Sequence, residues 1–82
     1  MRTRAELEMV RGRVDELLAT LQARPGAVCA VRERIFSELY DELIREVNAG
    51  TWYLTLIMKQ RDGVVHFYGV RHKPLRLGNY RE

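Results

Sequence analysis

The chain has 82 residues, with 14 Lys and Arg against 11 Asp and Glu, 46% apolar residues, one Cys and two Pro. That apolar fraction is too high for intrinsic disorder, and no window supplies 18 uncharged apolar residues to span a bilayer. The opening Met1-Arg2-Thr3-Arg4 runs into Ala5-Glu6-Leu7-Glu8 without an apolar signal core, so a cytosolic setting is expected rather than secretion or a membrane.

A folded chain of this length buries only about 60% of the surface it exposes when unfolded, so a partner that covers apolar surface is expected. Charge is uneven along the chain: residues 1–48 hold eight Arg and nine acids, net −1, whereas residues 49–82 hold six bases and two acids, net +4. The first part is rich in Glu, Leu and Arg, the residues of helices, and the second holds five of the seven aromatics with Thr and Val, the residues of strands. The expected organisation is an amphipathic helical hairpin over 1–48 and a β-hairpin with a basic tail over 49–82, meeting at Asn48-Ala49-Gly50. The fold class is mainly α with a small β part, the second half being either a β-hairpin or a partly disordered basic tail.

The first helix is predicted over about 4–23. Thr3 offers a hydroxyl at the cap and Glu6, three residues on, can reach back to the cap amide. Leu7, Val10, Val14, Leu17 and Leu21 recur at spacings of 3 and 4, a narrow seam suited to another helix, of this chain or of a second copy. Arg24-Pro25-Gly26 ends it, because Pro25 lacks an amide and disfavours helical geometry in Arg24.

A second helix is predicted over about 29–47. Val31, Ile35, Phe36, Leu39, Tyr40, Leu43, Ile44 and Val47 form a broad apolar face at helical spacing. Gly50 can take the left-handed conformation that closes such a helix.

Beyond Gly50 the period falls to two, predicting strands over about 51–59 and 64–71. Asp62-Gly63 between them is a hairpin turn signal, since both central residues of the favoured turn need positive φ. Pairing Arg61 with Val64 sets Met58 opposite Phe67 and Leu56 opposite Gly69, which gathers Trp52, Leu54, Leu56, Met58, Val65 and Phe67 on one face. An isolated hairpin is marginal in water, so that face needs the helices or another protein. Residues 71–82 read as a basic tail.

No catalytic, cofactor-binding or metal-ligating residues are expected. Cys29 lies near Arg32 and Arg34, a setting that lowers a thiol pKa, yet with no base in context it reads as a small packed apolar residue. His66 and His72 are the two imidazoles, too few for a zinc site that takes three or four ligands. The basic tail with Trp52, Tyr53, Phe67 and Tyr68 supports an alternative reading, a small α+β nucleic-acid-binding module, less favoured because no nucleic-acid fingerprint is present.

Three segments at fixed spacing carry a family resemblance: Gln22-Ala23-Arg24, then Cys29-Ala30-Val31-Arg32, then Asp41-Glu42-Leu43-Ile44-Arg45-Glu46-Val47 preceded by the aromatic Tyr40. Together, over residues 15–47, they resemble the central region of the axonemal dynein light intermediate chain family, the light chains of inner-arm dyneins. The resemblance implies a non-enzymatic, largely helical subunit that binds an inner-arm dynein heavy chain in the axoneme of cilia and flagella. The partner-binding residues expected from the second helix are Ile35, Phe36, Leu39, Tyr40, Leu43 and Val47, and self-association through the Leu7–Leu21 seam is a further expectation. Two departures accompany the likeness. Ala30 stands where the family usually has Pro, and the family continues as a long charged helix where this chain turns to Trp52-Tyr53-Leu54.

Overall fold

A computed structural model describes residues 2–73. Its elements are α1 (Arg4–Ala23), β1 (Cys29–Arg32), α2 (Glu33–Asn48), β2 (Leu54–Arg61) and β3 (Val64–Arg71). The three strands form one antiparallel sheet in the order β1-β3-β2, and both helices pack on one face of it. The basic tail expected over 71–82 begins instead with Arg71 as the last residue of β3; 74–82 lie outside the described residues.

At the start of α1, the Thr3 hydroxyl accepts from the Glu6 amide at 3.1 Å, and the Glu6 carboxylate accepts from the Thr3 amide at 2.7 Å. Two amide donors that the helix cannot satisfy internally are thereby paired. The Thr3 amide donating to the Glu6 carboxylate, and after it the Thr3 hydroxyl beside that carboxylate, hold the Glu6 carboxyl below its ordinary value. The helix stops where Pro25 requires it to, and the Ala27 amide donates back to the Arg24 carbonyl at 3.1 Å across Pro25 and Gly26, the latter at φ 81°. Pro followed by a glycine at positive φ is the signature of a type II turn.

The second helix begins four residues later than the spacing predicts, at Glu33 rather than 29, and residues 29–32 form a strand. The physical reason is a partner distant in sequence: Cys29, Ala30, Val31 and Arg32 pair with Phe67, His66, Val65 and Val64 of β3. Four residues are too few for periodicity to tell a strand from a helix start. The helices are therefore joined by a strand that enters the sheet, not by a bare turn. The Glu33 amide then donates to the Gly63 carbonyl at 2.8 Å, tying the first turn of α2 to the hairpin turn.

The hairpin register is the one that pairs Arg61 with Val64, Met58 with Phe67 and Leu56 with Gly69. Asp62 at φ 53° and Gly63 at φ 75° make the two-residue turn. The first strand starts at Leu54, three residues later than expected, with Trp52 half-buried ahead of it.

A single core crosses both halves of the sequence. Val14, Leu18 and Leu21 of α1, Phe36, Leu39 and Leu43 of α2, and Leu54, Val65 and Phe67 of the sheet are buried together. In α1 the inward face is wider than the narrow seam: Leu18 is fully buried beside Val14 and Leu21, and Leu7 is 42% exposed. Covering a sheet as well as a helix takes a wider apolar face than a two-helix seam does. Val14 and Leu21 of the Leu7–Leu21 seam are thus enclosed within the chain, while Leu7 stays exposed. Gly69 leaves room for the Leu54 side chain, whose Cδ2 would stand 2.8 Å from a Cβ there, while Leu21 Cβ at the end of α1 would be in ordinary contact at 3.5 Å. Arg71 secures that end by donating to the Gln22 carbonyl at 2.9 Å.

Candidate partner-binding surface

Of the six α2 residues expected to bind a partner, Phe36, Leu39 and Leu43 are buried in the core. Ile35 and Val47 are half-buried against that core, and Tyr40 is 41% exposed. The helical period identifies the apolar face correctly, but α1 and the sheet cover most of it.

What remains open follows from the ring contacts. Phe36 meets Phe67 of β3 with ring centroids 5.3 Å apart, and Tyr40 meets Phe36 at 5.8 Å, both tilted. Tilted rings at these separations are favourable aromatic pairs. Met58 on β2 is the register partner of Phe67 and lies on the same face. A row of apolar neighbours therefore runs from Tyr40 through Phe36 and Phe67 to Met58, and its two ends are open, Met58 being 36% exposed. Alternation alone places Met58 on the enclosed face; β2 is an edge strand, and the helices leave its far end uncovered. Ile44, one turn beyond Tyr40, is half-buried on α2 and extends the row along the helix.

The other side of α2 is closed by charge. The buried Glu42 carboxylate accepts from Arg45 at 3.0 Å and has Arg11 of α1 at 4.0 Å, while Arg11 also binds Glu46 at 3.0 Å. Arg11 thus bridges two turns of α2 from α1. The matching string Asp41–Val47 places Leu43 in the core and Glu42, Arg45 and Glu46 in this bridge, so most of it holds the helices together.

Cys29 faces the core side of β1 and packs against it half-buried; burial pushes its thiol above the ordinary value, opposite to what a nucleophile requires. Phe67, named for base stacking in the nucleic-acid alternative, is fully buried, so that set of aromatics does not share one open surface. Among the described residues no three of His, Cys, Asp and Glu gather as a metal site, and no helix is long and apolar enough to cross a membrane.

The model of the axonemal dynein light chain family matches residues 1–61. A 28 kDa axonemal inner dynein arm light chain of Chlamydomonas reinhardtii is 36% identical over 46 residues, which are 56% of this chain and 18% of that relative. The chain therefore aligns with about a fifth of that relative's length. No solved structure matches. The matched region takes in α1, β1, α2 and β2, whereas the central strand β3 lies beyond it.

Proposed function

The chain belongs to the axonemal dynein light chain family, and on that premise we propose that it is a non-enzymatic subunit of an inner-arm dynein in cilia and flagella, docking on a heavy chain. The family match over residues 1–61 carries this reading. The exposed apolar ends of that row, Tyr40 and Met58, support it, because apolar side chains left open beside a packed core offer anchors to a partner's apolar face.

Within the α2 set, Tyr40 and Val47 are proposed to meet the partner, with Ile44 and Met58 beside them, whereas Ile35, seven residues before Glu42, falls on the side bridged by Arg11. Phe36, Leu39 and Leu43 are proposed to hold those residues in place from beneath. Tyr40 is the proposed anchor, since partly buried aromatics with a polar tip dominate protein interfaces.

Immobilised full chain should capture a purified inner-arm dynein heavy chain. Tyr40→Asp combined with Met58→Asp should reduce capture by about tenfold or more, the equivalent of about 1.4 kcal/mol. Equal capture by the double variant would remove this surface from the interface, and failure of the unaltered chain to capture any inner-arm heavy chain would reject the proposed function.

A further inference from the structure

Among the described residues nothing covers the face of the sheet turned away from the helices, and its composition is not that of an ordinary solvated face. Strict alternation through the register sends Ile57 and Tyr68 outward as a cross-strand pair, with Val70 next to them on β3. Tyr68 is 37% and Val70 46% exposed. Toward the hairpin turn the same face changes character: Lys59, Arg61 and, from β1, Arg32 all point outward and are exposed. None of the outward positions of the three strands is Asp or Glu. The nearby Asp62 lies in the turn, 3.8 Å from Arg61, and both side chains stand in water, where such a pair neutralises little.

Antiparallel sheets with one free face normally alternate apolar inward with polar outward. Here one end of the free face carries Ile57, Tyr68 and Val70 beside Thr55, and the other carries Lys59, Arg61 and Arg32 around Val64, His66 and Ala30, with no acid among them. We propose that this face docks an acidic amphipathic helix of another polypeptide, its apolar stripe over Ile57, Tyr68 and Val70 and its acidic turns over Lys59, Arg61 and Arg32. The polarity also suits the helix, because acidic residues are favoured in its first turns, whose positive dipole end they offset. Eight-residue strands at about 3.3 Å per residue span about 26 Å, matching a helix of about 18 residues at 1.5 Å rise.

A nucleic acid is the weaker match to this surface. Each neutralised phosphate adds to nucleic-acid affinity, and this face offers it Lys59, Arg61 and Arg32, while Ile57 and Val70 beside Tyr68 fit side-chain knobs better than stacked bases. The inference is independent of heavy-chain docking at Tyr40 and Met58, on the opposite side of the sheet, and its test leaves those residues unaltered, so either can fail alone.

The probe is a fluorescent peptide of about 18 residues with Leu at helical spacing and Glu in its first two turns, compared with a Lys counterpart and an oligothymidylate of equal negative charge. Titrated with the full chain, the acidic peptide should bind with Kd at or below about 100 µM, and the Lys peptide at least about tenfold more weakly. Lys59→Glu with Arg61→Glu should weaken the acidic peptide about tenfold with the unfolding midpoint unchanged, and Val70→Lys, a single exposed position, should do the same independently. No binding at about 1 mM, equal binding of the Lys peptide, or tighter binding of the oligothymidylate would overturn the proposal. So would a concentration-dependent dimer that Val70→Lys dissolves, since the face would then serve a second copy.

Discussion

Phe67 touches Phe36, sits across from both Cys29 and Met58, and has no exposed surface, so it joins all three strands to α2. Phe67→Ala should cost about 3–5 kcal/mol in urea unfolding, enough to unfold much of the population of a domain this small. Tyr40→Ala, at an open position, should cost less than about 1 kcal/mol by the same measurement. Cys29 tests burial through pH. Its thiol is raised by desolvation, so the unfolded chain ionises first as pH climbs. The stability it contributes should be complete below the ordinary thiol range and decline as pH rises through that range toward the raised native value. The urea midpoint should therefore fall over that interval, and Cys29→Ala should remove that part of the fall. At this scale the sequence identified which side chains are apolar and share a face. It did not identify what covers them, because Phe36 and Tyr40 carry the same periodic signal although one is enclosed and the other open.

The elements divide according to how local their causes are. The α1 cap, the Pro25-Gly26 stop and the Asp62-Gly63 turn are each set by residues within four positions of one another, and each was readable. Thr3→Ala should cost about 1 kcal/mol, seen as a lower thermal midpoint, because it removes the hydroxyl that satisfies the Glu6 amide. β1 was hidden because its hydrogen bonds come from residues more than thirty positions away. The central position of β3 makes a sharper demand. A chain ending at Arg61 keeps the whole family-matching region but loses Val65, Phe67 and the strand between β1 and β2. It should show no cooperative thermal transition by circular dichroism; a cooperative melt near that of the full chain would mean the helices do not need β3.

For the molecule as a whole, the expectation that both apolar stripes await an outside polypeptide is replaced by a narrower one. The inner stripes of α1 and α2 cover each other and the sheet, and Arg11 locks the pair through Glu42 and Glu46. Among the described residues, the surfaces that stay available include the row ending at Tyr40 and Met58 on the helix side and the apolar and basic face on the far side of the sheet. The family match gives the first of these its proposed partner. The most direct measurement is site-specific photocrosslinking with a photoreactive phenylalanine analogue at position 40, mixed with purified inner-arm dynein heavy chain, and with the same analogue at exposed Glu8 on α1 as the comparison. Docking through the α2 and β2 row predicts a covalent adduct of chain and heavy chain from position 40 and little from position 8. An adduct from position 8 with none from position 40 would contradict it.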